Sequence, residues 1–312
     1  MDDNDGTSPP KTSPQQATPD CFKHAALDHN APSIRLIRVC RHRSPEGYIQ
    51  CEVRHTTINS TYICLSYTWG DELGWNDDVS KGHWILMDGE RFWVRKNLHC
   101  FLRVARHKHR LHWLWIDALS IDQTNNTERT HQVQQMGRIF SEAKEVISWL
   151  GPNRRIAEFL SNAPQQGFDA HGFHDFCNSE YWNRAWITQE VALSRRSTLM
   201  ARGEELEMNQ LPLIKDEKEH SEYLSRLNDL SPRSSHRLKG KNLIYLLKKF
   251  MFKECHIARD RVFSLLALCG EGSNLQVDYK ISSEELAYNI LTICRQSICF
   301  CTVRVVCRAL RI

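Results

Sequence analysis

Apolar residues become regular beyond Ala31, and their period changes along the chain. Ile34 to Val39 and Tyr48 to Val53 read as short strands around a polar turn. Tyr62-Ile63-Cys64-Leu65-Ser66-Tyr67 is almost continuously apolar, as in a strand covered on both faces, and Trp69-Gly70-Asp71 ends it. Trp84 to Val94 holds Asp88-Gly89 between two apolar runs; that dipeptide tolerates positive φ and predicts a tight hairpin. Asn97 is placed to cap a helix whose Leu98, Phe101, Leu102 and Ala105 share one face. Leu111 to Ile116 predicts a second buried strand ending at Asp117, with the polar stretch from Asp122 and Gln123 to Asn126 beyond it. Val133, Met136, Phe140 and Ala143 then mark a helix face, and Val146 to Leu150 a third strand stopped by Gly151-Pro152. After a Gly/Pro/Gln loop around 164–172, a helix is expected from about Ser179 to Leu193.

Strand and helix in alternation predict an α/β fold, a parallel sheet flanked by helices with the 84–94 hairpin inserted. From about residue 205 the pattern loosens. Residues 215–241 are charged, and three helical stretches follow at 242–252, 260–269 and 283–297, the last opened by a capping box of Ser282 and Glu285. We therefore expect a disordered tail over 1–30, an α/β domain over 31–205 with its motif core at 62–190, and a mostly helical extension over 206–312. Residues 297–312 mix Cys, Val and Arg without clear helical period, so they receive no assignment.

Composition narrows the classes. A hydrophobic share of 41% with 25% charged residues is ordinary for a globular protein. The net charge of +4, from 41 basic and 37 acidic residues, is too small an excess to imply nucleic acid or an anionic membrane. No run approaches the roughly 20 apolar residues of a membrane span. The first 20 residues are rich in Pro, Ser, Thr and Gln with no apolar stretch, unlike a signal peptide. Of 12 cysteines, several such as Cys64 and Cys269 sit in apolar runs, where thiols act as small hydrophobes; we expect a reducing, cytoplasmic setting. His107, His109 and His112 lack cysteine partners at zinc spacing, so no metal is expected. Gly270-Glu271-Gly272 lacks the third glycine of a dinucleotide loop, and neither a Walker A sequence nor a G-x-S-x-G elbow occurs.

Three blocks carry a family resemblance: YICLSYTWGD at 62–71, the segment from LWIDALSIDQ to VISWLG at 114–151, and YWNRAWITQE at 181–190. In this order they resemble the fungal heterokaryon incompatibility (HET) domain. RDRVFSLLAL at 259–268 and VDY at 277–279 resemble the segment that trails it. The family usually has cysteine in the WIDALSI segment; this chain has Ser120, which rules out a thiol role there. The HET domain is in turn similar to the Toll/interleukin receptor (TIR) domain, a flavodoxin-like sheet. ICLSYTWGD, Asp117 and the W-x-x-x-E of Trp186 to Glu190 carry that second resemblance. It implies a role in non-self recognition and programmed cell death, with an incompatibility partner protein and self-association. For TIR domains that cleave NAD it also implies a catalytic glutamate, here Glu190, with NAD as candidate substrate and no cofactor.

Strand ends give this a physical side. Ligands of open parallel sheets gather beyond the carboxyl ends of the strands, where Ser66, Tyr67, Trp69, Asp71 and Asp117 fall. These five, with Trp186, are the candidate substrate-binding residues. On one continuous helix Trp182, Trp186 and Glu190 would form a single stripe, and a carboxylate on an apolar stripe is costly unless paired or used. Nicotinamide leaves from a cationic pyridinium without a general acid, so one carboxylate facing the oxocarbenium ion can suffice. The alternatives stay open. Glu190 could instead pair with Arg184 or Arg138, the tryptophans could fill the core, and Asp71 and Asp117 could be turn residues. The domain would then be a non-enzymatic signalling or self-assembly module.

Overall fold

The computed structural model describes residues 21–70, 83–163, 170–211, 230, 235–271, 274–297 and 299–312. β1 (Ser33–Arg43) and β2 (Ile49–Thr57) pair antiparallel and run longer than the apolar alternation predicts, because polar Cys40 to Arg43 continue β1. β3 (Ile63–Tyr67) is buried throughout. β4 (His83–Met87) and β5 (Glu90–Val94) form the expected hairpin, with φ of 48° at Asp88 and 89° at Gly89. Positive φ at both central residues matches the twist of the flanking strands. β6 shrinks to Leu114–Trp115, shorter than the run from Leu111 suggests, while β7 spans Glu145–Trp149. Two further strands, β8 (Ser197–Ala201) and β9 (Glu204–Glu207), have no counterpart in the sequence reading. β8 is buried at every position and lacks alternation, and β9 is acidic at three of its four positions.

The nine strands form one mixed sheet in the order β5-β4-β2-β1-β6-β3-β7-β8-β9. Its centre, β6-β3-β7-β8, is parallel, whereas β1 meets β6 antiparallel and β9 closes the other edge antiparallel to β8. Helices cover both faces of this centre. Leu98, Phe101, Leu102 and Ala105 of α1 (Lys96–Lys108) pack with Ile63, Leu65, Tyr67, Ile147 and Trp149. Beyond the single turn α2 (Asp117–Ser120), α3 (Asn126–Glu142) sets Met136, Ile139 and Phe140 against Cys64, Trp115 and Val146 on the opposite face.

A third cluster of buried side chains joins the middle of the chain to its end. It gathers α4 (Arg154–Asn162), α5 (Ala170–Cys177) and α6 (Ile187–Ala192) with α7 (Leu243–Lys249), α8 (Asp260–Phe263), α9 (Ser283–Ile293) and α10 (Phe300–Leu310). Gly137 of α3 faces Ala267 so closely that a β-carbon at 137 would overlap the alanine methyl. Much of the expected boundary at 205–240 falls outside the described residues.

Several local expectations change. The stretch 297–312, given no helical period, forms α10; its Thr302, Val306, Ala309 and Leu310 are buried at helical spacing, a face masked by the interleaved Cys and Arg. Cys64 and Cys269, read as thiols in apolar runs, are free, whereas Cys299 and Cys301 are disulfide-bonded. Residues 21–30, assigned to the tail, lie against the sheet: Phe22 N–H donates to Arg91 O at 2.9 Å, and Leu27 is buried.

A buried ion pair ties this leading segment to α2 and α3. Arg35 donates to both carboxylate oxygens of Glu128, at 2.5 and 2.9 Å, to Ser120 O at 3.0 Å and to Ala25 O. Glu128 also accepts from Asp122 N–H at 2.7 Å, and Ser120 Oγ accepts from Ile116 N–H at 3.1 Å. Position 120 thus has a structural task that a hydroxyl fulfils. Removing one partner strands a buried charge, whereas an apolar pair removes both charges together. Glu128→Ala should lower the unfolding free energy by about 3–5 kcal/mol, and Arg35→Met with Glu128→Leu by clearly less. Equilibrium urea unfolding measures both.

Candidate functional site

Side chains alternate along β3, so Ser66 and Tyr67 serve opposite faces of the sheet at its carboxyl end. Ser66 points with Cys64 toward α6, a short helix buried at all six positions. There Ser66 Oγ donates to Glu190 Oε2 at 2.5 Å and lies 2.8 Å from Tyr181 Oη. A serine has one proton, so while Glu190 is ionised the tyrosine hydroxyl is the donor in the second bond. Ser148 on β7 hydrogen-bonds the same tyrosine.

The helix expected over 179–193 is broken. Glu180–Asn183 is a 3-10 turn, Arg184 is extended with ψ of 139°, and α6 begins at Ile187. The break lets Ala185 N–H donate to Glu254 O at 2.9 Å and brings the Arg184 guanidinium to Tyr67 O. Trp182, Trp186 and Glu190 therefore do not share one stripe. Trp182 donates to Phe176 O at 2.8 Å within the third core cluster. Trp186 is half-buried between two clusters and hydrogen-bonds Asp260 of the RDRVF segment, which also accepts from Tyr279 Oη at 2.8 Å.

On the other face, Asp117 opens α2 and gathers the residues after β3. Trp69 Nε1 donates to it at 2.8 Å, Ala118 N–H at 2.7 Å, and the Tyr67 hydroxyl also donates to it. The Arg95 guanidinium lies 5.2 Å over the Trp69 ring. Asp71 lies outside the described residues. Asn97, expected as a helix cap, sits inside α1, whose N-cap position is Arg95. Its amide donates to Thr68 O at 2.7 Å and accepts from Trp149 Nε1 at 2.8 Å, joining the ends of β3 and β7.

Those two strand ends flank an open cleft of about 510 Å³, lined by Thr68, Asn97, Gly151, Asn153 and Tyr181 among others. Between β3 and β7 the strand order reverses, because the chain passes from β3 to β6 on one side and then to β7 on the other. Crevices at such reversals are where open α/β sheets bind ligands. Of the sequence-nominated residues, Ser66 and Glu190 are in direct contact, as are Tyr67, Trp69 and Asp117; Trp186 stands apart on Asp260. Tyr181, Arg184, Asn97 and Asp260 complete the arrangement. Tyr181 and Arg184 lay inside the third block, but an unbroken helix directed attention to Trp186 and Glu190. Asp260 and Tyr279 lay in the trailing segments, with nothing local to mark their destination.

Glu190 is 3% exposed, and among the described residues no arginine forms an ion pair with it. Burial pushes its carboxyl up to about 7, opposed by the charge of Arg184 and the Ser66 bond and reinforced by Asp117. Burial likewise raises Asp117, opposed first by Arg184, and Asp260, opposed first by its bonds from Tyr279 and Trp186 and then by the charges of Arg129 and Arg184. One guanidinium thus moderates three carboxyl groups. At neutral pH Glu190 can accept or release a proton, as general acid–base chemistry requires. Among the described residues no group of three His, Cys, Asp or Glu side chains could hold a metal ion, and no helix is long and apolar enough to cross a membrane.

Because the folded-state value of Glu190 lies above that of the unfolded chain, the fold prefers the protonated carboxyl. That stability is present below about pH 4.5 and is lost as pH rises through about 7. Glu190→Gln keeps an acceptor for Ser66 and cannot ionise. It should match the wild type at pH 4 and exceed its stability above pH 8, by on the order of 3 kcal/mol. Thermal and urea unfolding across pH would show it; a constant difference would refute the burial argument.

Residues 62–168 match the family model described as heterokaryon incompatibility protein (HET). The chain is 32% identical over 175 residues to heterokaryon incompatibility protein 6, OR allele, of Neurospora crassa, a match covering 52% of this chain and 25% of that protein. The aligned region thus spans about a quarter of that relative's length. No solved structure matches. Residues 62–168, which hold the first two motif blocks and the ends of β3, β6 and β7, are thus the part of this chain that is similar to the HET domain.

Proposed function

We propose that the protein acts in fungal heterokaryon incompatibility as a cytoplasmic effector of cell death, by cleaving the nicotinamide glycosidic bond of NAD. The observation that carries this reading is Glu190: a buried carboxyl that feels the charge of Arg184 but, among the described residues, makes no ion-pair contact with an arginine, held by Ser66 next to a cleft at the point where strand order reverses. A buried carboxyl placed for structure alone would normally be paired. The order β6-β3-β7-β8 runs second, first, third and fourth along the chain, which supports a flavodoxin-like, TIR-like sheet. In this reading the cleft holds the substrate, and the buried carboxylate behind it serves as the base that takes up the proton of the attacking water.

A non-enzymatic signalling module is the second reading, favoured by one observation: Glu190 is 3% exposed and does not itself line the cleft. Expression in yeast separates the two. Enzymatic action predicts NAD depletion and growth arrest with the wild-type chain, both reduced at least tenfold by Glu190→Gln at equal protein level. Growth arrest with NAD untouched supports the module instead.

A further inference from the structure

The distance between the cleft and Glu190 raises a chemical problem. The cleft touches Tyr181, not Glu190, and Tyr181 is itself 1% exposed. Between them stands one hydroxyl. Tyr181 Oη lies 2.8 Å from Ser66 Oγ, which lies 2.5 Å from Glu190 Oε2. With Glu190 ionised, donor arithmetic gives the chain one direction: tyrosine donates to serine and serine to carboxylate. Ser148 approaches the phenol from β7, leaving one lone pair of the tyrosine oxygen uncommitted.

We propose that Tyr181 is the residue that meets the reacting water, and that it passes the water's proton through Ser66 to Glu190. This rests on the NAD-cleavage reading and assigns the proton's route within it. In the step, the bond between the ribose anomeric carbon and the pyridinium nitrogen breaks, and its electron pair leaves with neutral nicotinamide. Water forms the new bond to that carbon. Its proton goes to the tyrosine oxygen while the phenolic proton moves to Ser66 Oγ and the serine proton to the Glu190 carboxylate. Atoms and charge balance without a further reactant. Tyr181 is then the catalytic residue, and Ser66 and Glu190 are positioning residues behind it.

The charged and titratable groups around the end of the relay belong to several elements. Cys64 lies on β3, Tyr181 on the 3-10 turn, Arg184 on the extended link, and Asp117 at the start of α2. Burial raises the thiol and the phenol, so both stay neutral at physiological pH, and Glu190 is the group that changes charge there.

Steady-state NAD cleavage by the full chain across pH tests the route. The wild type should gain activity with pH around a midpoint near 7. Tyr181→Phe should keep NAD affinity by calorimetry, lose about 100-fold in kcat, and leave a residual rate independent of pH in that range. Ser66→Ala should do the same, and the double variant should be no slower than either single one, as for residues acting as a unit. A solvent isotope effect on the wild type supplies a test without mutation: a curved dependence on deuterium fraction is expected for several protons in flight. A folded Tyr181→Phe variant with near-normal kcat and an unchanged pH midpoint overturns the relay but leaves NAD cleavage standing. A linear isotope dependence, with one proton in flight, also overturns it. Wild-type protein that leaves NAD intact overturns the relay and the reading beneath it.

Discussion

One guanidinium sets the terms for the centre of this molecule. Arg184 donates to the last carbonyl of β3, and its charge is felt by Asp117, Glu190 and Asp260, each raised by burial. These carboxyl groups come from three separate sequence blocks, and the carbonyl comes from a fourth. The interior cannot hold several carboxylates without a compensating cation. Arg184 cannot reach its position from a regular helix, so the chain opens into an extended link between the 3-10 turn and α6. That link also lets main-chain bonds to the segment around Glu254 form.

This explains which parts of the fold the sequence reveals. Buried strands such as β3 and β7, and the Asp88-Gly89 hairpin, follow from local patterns: continuous apolar runs and a dipeptide tolerant of positive φ. α1 and α3 follow from their apolar faces. The break at Arg184 is set by partners far along the chain, and a window of ten residues around the third block contains no Gly or Pro to announce it. Helical spacing there places Glu190 in line with two tryptophans, although the three end up with different neighbours. α10 shows a related failure: its buried face is built from Thr, Val, Ala and Leu between cysteines and arginines, so the period is present but weak.

The site divides along the same line. Ser66 and Glu190 were legible as a strand-end hydroxyl and a carboxylate in an apolar helix, and they meet. Tyr67, Trp69 and Asp117 were legible as strand-end residues and form a group on the opposite face. Tyr181 was not, because an aromatic beside a tryptophan reads as core, and by burial it is core. Its hydroxyl is what distinguishes it, and the partner of a hydroxyl cannot be inferred from spacing. Asn97 offers the same lesson. An asparagine near a helix start suggests a cap, but its amide is committed to two strand ends.

The contact between Gly137 and Ala267 has a consequence for how such proteins can diverge. Residues 62–168 mark the unit of family likeness, but α3 within that unit presses its backbone against a segment a hundred positions beyond the unit's end. Exchange of the leading part between alleles, by recombination or by grafting, would therefore bring together surfaces that had not been selected to fit. A larger residue tolerated at 267 in one lineage requires room at 137, and room there cannot be made once glycine is already present. Likeness to the family in this molecule ends at one position, and the packing that must be inherited as a working whole extends well past it.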